Sequence, residues 1–373
     1  MRNGTIMKIK NFKLERYFAQ HEFTAQYLLS SSDCDGYELK YLLELASSEE
    51  LHLWENMALG YTESQGHPAL REAILQYYTL NDIDNVLVST PGELNFITMN
   101  VLLEPDDHVI AISPSYQSLY EVVKSIPCEI SYWKPNEVDW IYDVADLRSL
   151  IKANTKLLIV NFPHNPTGSY LSKKELQEIV DLARKQDLYV FSDEMYHKLI
   201  INASEELPPI SDLYEKGISL WGTSKTMGLA GLRTGWLVSQ DKAFLKKVLA
   251  FKDYLSICHP APSEILSLIA LNHLDRLLIP NIEKIKRNIA LFETFAHEHT
   301  LIDSFVPPQA GSTSFVKLNI DRPALDFSDQ LVKETGLMTV PAEMFEYPGK
   351  YIRVGFGREN FSEALDTLYE AWA

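Results

Sequence analysis

The stretch "KLLIVNFPHNPTGSYLSKKELQEIVDLARKQDLYVFSDE", residues 156–194, decides the fold. "KLLIVNF" is a short apolar run of the kind that forms a fully buried strand. "SKKELQEIVDLARKQ" has the apolar spacing of an amphipathic helix, and "LYVFSDE" is a second apolar strand. Strand, helix and strand in succession form a βαβ unit, which requires a parallel pair.

Outward from this unit the pattern repeats. "NVLVS", "HVIAIS" and "CEISYW" precede it as strands, with the helices "GELNFITMNVLL" and "SYQSLYEVVKSI" between them. "ISLWGTS" and "GWLVS" follow it. The expected class is α/β, a three-layer large domain with a mostly parallel sheet flanked by helices. Near "CHPAPSE" (258–264) long helices take over, followed by "TSFVKL", "DFSDQLVKETG" and "YIRVGF". These predict a smaller α+β domain formed with the N-terminal segment. The expected division is an arm over 1–45, a large domain over 46–262 and a small domain over 263–373. There is no internal repeat and no low-complexity tract.

The chain of 373 residues carries a formal charge of −17. Such a balance argues against a nucleic-acid or anionic-membrane surface, each of which needs a basic footprint. The three cysteines, Cys34, Cys128 and Cys258, form no CxxC pair, so no metal site or disulfide framework is expected. A reducing, cytoplasmic setting fits them. The first residues hold no apolar core of signal-peptide length, and Met1 and Met7 both stand as candidate starts. No apolar run reaches membrane-spanning length.

Three strand ends carry candidate chemistry. Asn165 lies in "NPTG", a loop that follows "KLLIVN"; ligands of open α/β sheets bind at such carboxyl ends. Asp193, with Tyr196 close behind, ends "LYVFSD". Each alone reads equally as a turn or a helix cap. In "GTSKTMGLAGLRTGW" (222–236), Lys225 sits among small residues and Arg233 follows eight positions later. The spacing is not that of a phosphate-binding P-loop, nor is there a GxGxxG dinucleotide fingerprint. A lysine nucleophile, an anion for a cationic ring nitrogen, a donor for a ring oxygen and an arginine for a phosphate are together what pyridoxal phosphate requires.

The chain resembles the class I/II aminotransferases, fold-type I pyridoxal-phosphate enzymes of the aspartate aminotransferase superfamily. "SLWGTSKTMGLAGLRTGW", "NPTG" and "SDEMY" are similar to three family motifs. "GYTESQGHPALREAI", "SPSYQSLY" and "YIRVGFG" resemble three more, spanning residues 60–357.

The resemblance implies pyridoxal 5'-phosphate as cofactor and an amino acid and a 2-oxo acid as substrates. It implies Lys225 as the Schiff-base lysine and proton shuttle, and Asp193 as partner of the ring nitrogen. Asn165 and Tyr196 would bond the phenolic oxygen, with Asn165 also next to the substrate. Tyr116 would stack on the ring. Ser224, Arg233 and the turn Thr90, Pro91 and Gly92 would hold the phosphate, although Pro91 has no amide to donate. Tyr61 would reach the phosphate of a neighbouring subunit, giving a homodimer with shared active sites. Arg353 would pair with the substrate α-carboxylate. No metal is implied.

The chain departs from the family pattern at Gly222, where a phosphate-binding serine is common and Thr223 is the nearest substitute. Arg71 reads as a structural helix residue. Arg16 and His21 lie in an arm that in this family closes over substrate. The wording also resembles capreomycidine-synthase-like cyclases, so a lyase or cyclase on the same scaffold is the alternative reaction. A non-catalytic ligand-sensing module is the remote one.

Overall fold

The computed structural model describes residues 9–372; the two candidate starts, Met1 and Met7, lie outside the described residues. Seven strands form the large sheet in the spatial order Val86–Ser89, Gly235–Ser239, Gly217–Gly222, Tyr189–Asp193, Thr155–Asn161, His108–Ile112, Glu129–Trp133. Only Gly235–Ser239 runs against its neighbours. The others are mutually parallel, which accounts for their unbroken apolar runs: a parallel sheet is covered on both faces.

The side chains divide as the pleat demands. Val109, Ala111, Leu157 and Ile159 join one buried cluster. Ile110, Ile112, Leu158 and Val160 join another on the opposite face. Lys173–Lys185 is the crossover helix of the βαβ unit. Ser172 and Glu175 cap its start reciprocally, Ser172 N donating to Glu175 Oε2 at 2.7 Å and Glu175 N to Ser172 Oγ at 3.2 Å. This cap ends the "NPTG" loop firmly on the sheet's carboxyl edge.

The second unit holds a four-stranded antiparallel sheet, ordered Val340–Pro341, Tyr351–Gly355, Thr313–Leu318, Ile302–Ser304. Helices Ala324–Thr335, Phe361–Trp372 and the 25-residue Leu274–Glu298 surround it. The N-terminal arm enters here. Tyr27–Leu28 pairs in parallel with Leu337–Met338, and Leu14 and Tyr17 of the helix Lys13–His21 share a core with Phe315, Met338, Val340, Phe345 and Tyr351. No single helix among the described residues is long and apolar enough to cross a membrane.

Candidate active site

Thr155–Asn161, Tyr189–Asp193 and Gly217–Gly222 lie side by side, with Asn161 opposite Asp193 and Asp193 opposite Leu220. Their carboxyl ends therefore deliver Asn165, Asp193 and Lys225 to one place. There a cavity of about 390 Å³ is lined by these three residues and by Tyr116, Tyr196, Ser224, Arg233, Pro91, Gly92 and Arg353. A larger depression, about 580 Å³, lies on the outer surface near Arg148, Lys152 and Lys185, and none of these groups reaches it.

Lys225 Nζ donates to Ser32 Oγ at 2.9 Å. Asp193 is buried, and its Oδ1 accepts from Met195 N at 3.2 Å. Burial pushes its carboxyl up from 3.8 to about 6, against the opposing pull of that amide and of the Lys225 charge. Asn161 locks the floor: its amide donates to Asp193 O at 2.7 Å, and its Oδ1 accepts from Asn165 N at 3.0 Å.

Arg353 is 1% exposed. Its Nε and Nη2 donate to Ser30 O at 3.2 and 2.6 Å, and Nη1 to Asn165 Oδ1 at 3.2 Å. The rings of Phe18 and Phe345 lie 5.8 and 5.5 Å from its guanidinium carbon. No carboxylate among the described residues pairs with it, and burial holds its pKa below the usual arginine value.

The residues present fit pyridoxal phosphate. The Tyr196 hydroxyl is buried in the cavity wall without a hydrogen-bond partner, as is the Asn95 side-chain oxygen. Orphaned buried polar atoms of this kind need a ligand or water. The helix Pro91–Leu102 starts at the cavity with Thr90 at its N-cap, making no side-chain cap bond. Its first-turn amides, with the positive end of its dipole, suit an anion. Arg233 stands exposed nearby in a left-handed conformation (φ 58°), donates to Ala230 O at 3.0 Å and forms no ion pair among the described residues.

Two sequence-predicted residues stand apart. Thr90 does not line the cavity, and Tyr61 points outward, 88% exposed. Thr223 is also turned away: its hydroxyl lies 3.3 Å from the carbonyl oxygens of Leu229 and Thr234. Gly222 has a steric reason, since a Cβ there would sit 2.7 Å from Thr234 O, just before the antiparallel neighbour. Arg71 is structural, donating to Ile83 O and pairing with Asp84 at 3.1 Å.

Sequence reasoning missed Ser32, Asn95, Asn161 and Asp33. The arm helix presents one face to the cavity. Leu14, Glu15, Phe18 and Glu22 line the cavity, whereas His21 lies near Asp329 and Arg16 does not reach it.

The chain belongs to the aminotransferase class I and II family, whose model matches residues 24–368. Members of this family are pyridoxal-phosphate-dependent enzymes. A solved pyridoxal-phosphate-dependent aminotransferase from Streptococcus suis superposes with a TM-score of 0.90 at 31% identity, covering 98% of both chains. The capreomycidine synthase of Streptomyces vinaceus is 28% identical over 92% of this chain and 88% of its own. An aspartate aminotransferase of Sulfolobus acidocaldarius is 26% identical over 79% of this chain and 78% of its own.

Proposed function

We propose that the cavity is the active site of a transaminase that moves an amino group from an amino acid to a 2-oxo acid. The observation that supports this best is the meeting of Lys225, Asp193 and Asn165 with the unpartnered Tyr196 hydroxyl and the buried, carboxylate-free Arg353. When bound, pyridoxal phosphate supplies a cationic ring that withdraws electrons from the substrate Cα.

The chain's own residues do the rest. Lys225 would hold the cofactor through Nζ and, with Nζ free, would take the proton from the Cα of the amino donor and supply one to the Cα formed from the 2-oxo acid. Asp193 pairs with the ring nitrogen, and that cation draws its buried carboxyl into the charged form. Tyr196 and Asn165 hydrogen-bond the ring oxygen, and Tyr116 packs on the ring. Ser224, Arg233 and the first helical turn at Pro91 and Gly92 would hold the phosphate, Pro91 without an amide. Arg353 takes the substrate carboxylate, with Asn165 beside it at 3.2 Å.

The proposal includes a homodimer in which the partner subunit's Tyr61 completes the phosphate site. An exposed apolar patch supports it: Leu59 (84%), Tyr61 (88%) and Tyr254 (90%), with Leu255 and Ile257 beside them. Lys252 joins the two segments of this patch, its Nζ donating to Ser64 O at 2.7 Å and Ile257 O at 2.8 Å. A cytoplasmic role in amino acid metabolism suits the three free cysteines.

The likeness to the capreomycidine synthase over nearly the whole chain favours a second reading, a lyase or cyclase. One experiment separates the two. The loaded enzyme is incubated with a panel of amino acids and its cofactor followed by absorbance. Accumulating pyridoxamine phosphate supports the transaminase. Ammonia or a cyclised product without it supports the second reading and excludes the first. Lys225→Ala removes the visible absorbance of the bound cofactor; persistence of that absorbance refutes the assignment of the lysine.

A further inference from the structure

The cavity walls are unequal in charge. Its cations are Lys225, Arg233 and Arg353. In the reading above each already has its anion or its bond in the cofactor or the substrate carboxylate. The same cavity is lined by three carboxylates that this reading does not use: Glu15, Glu22 and Asp33. Asp33 is paired with Arg358 at 3.3 Å. Glu15 accepts from Tyr116 Oη at 2.7 Å. Glu22 is half-buried and has no side-chain hydrogen bond or ion pair among the described residues. Burial, then the charges of Asp33 and Glu15, raise its pKa against the smaller opposing pull of Arg358 and Lys225.

The position of this wall is set by the arm. Glu22 is the C-cap of the helix Lys13–His21, one turn beyond Phe18. The Phe18 ring lies 5.8 Å from the Arg353 guanidinium carbon. A substrate whose carboxylate meets Arg353 therefore has the acidic face of the arm within reach of its side chain. That a ligand enters this cavity is indicated by the buried, unpartnered Tyr196 hydroxyl in its wall, which the reading above gives to the cofactor, and the unpartnered Asn95 Oδ1 in the same lining is left for a further group.

We propose that the substrate is an amino acid with a cationic side chain, an ammonium or a guanidinium, received by Glu22 and Glu15, with Glu22 the main specificity residue. The proposal rests on the preceding reading through Arg353 as the carboxylate site. An acidic side chain would add a fourth negative charge to the wall, and an apolar one would leave Glu22 uncompensated.

The test uses the cofactor-loaded enzyme and carboxylates without a primary amine, which cannot condense with the cofactor: δ-guanidinovalerate, ε-(trimethylammonio)caproate, caproate and glutarate. Their dissociation constants are read by titration calorimetry. The cationic pair is expected to bind about tenfold or more tighter than caproate, and glutarate more weakly than caproate. Glu22→Gln abolishes most of that preference, and Glu22→Lys turns it toward glutarate. Glu15→Gln, a change at an exposed position, diminishes it by a smaller factor. Unchanged cofactor absorbance shows that each variant has kept its site. If all four ligands bind wild type equally, or if both glutamine variants keep the full preference, the charge proposal is overturned while Arg353 keeps its role. If no carboxylate binds, the role of Arg353 fails and the proposal falls with it.

Discussion

Asp193 illustrates how a single residue trades stability for use. Its folded pKa, pushed up by burial from 3.8 to about 6, means that the native state holds its proton to higher pH than the unfolded chain. Stability is therefore lost as pH rises through that window, by an amount on the order of 3 kcal/mol. Glu194 next to it behaves in the same sense, pushed up to about 8 by burial. In the cofactor-free protein, Asp193→Asn is expected to raise the melting temperature at neutral pH and to leave it unchanged in acid below the unfolded pKa, while weakening cofactor-dependent activity severely. Melting curves against pH decide this; a destabilised asparagine variant at neutral pH would contradict it. Gly222 makes the converse point. Restoring a serine there puts a Cβ against the backbone of Thr234 and Gly235, at 2.7 and 3.0 Å. Gly222→Ser is expected to cost about 1–3 kcal/mol in denaturant unfolding through overpacking, with no gain in cofactor affinity.

Among the elements, the arm helix has a specific tether. The Gln117 side chain accepts from Lys13 N at 2.8 Å and donates to Asn11 O at 3.0 Å. Gln117→Ala removes two bonds worth roughly 1 kcal/mol each and should raise KM for the amino donor several-fold, leaving cofactor absorbance intact. Equal KM values for variant and wild type would show that the arm does not need this tether.

The strands that carry Asn165, Asp193 and Lys225 were legible because a strand covered on both faces needs an unbroken apolar run, as in "LLIV" and "YVF". The reversed direction of Gly235–Ser239 was not, since antiparallel and parallel strands buried on both faces have the same composition. Nor was the loop Ser30–Asp33. It binds Arg353 through a backbone carbonyl, which any residue supplies, and Lys225 through one serine among three. The arginine and lysine that line the cavity were readable from their motifs; their partners were not.

At the scale of the whole molecule, association and loading are expected to be linked. Leu59→Asp together with Tyr254→Asp places charges in the exposed apolar patch. Sedimentation should then find a monomer whose cofactor affinity has dropped by about tenfold or more, ~1.4 kcal/mol. A monomer with undiminished affinity would show that no residue is lent across the interface. The net charge of −17 works in the same direction as this patch design, because it keeps copies apart except where apolar surface overcomes repulsion.

The loop Ser30–Asp33 also has a consequence in the order of synthesis. Its partners Arg353 and Arg358 leave the ribosome 323 and 325 residues after the loop residues they hold. Lys225 follows Ser32 by 193. During translation the sheet's three chemical strand ends are thus made while one wall of the cavity has no support. Contacts of such sequence separation form late. The nascent chain can assemble its sheet early, but its cavity is walled on this side only when the strand Tyr351–Gly355 has been made and has seated against the loop.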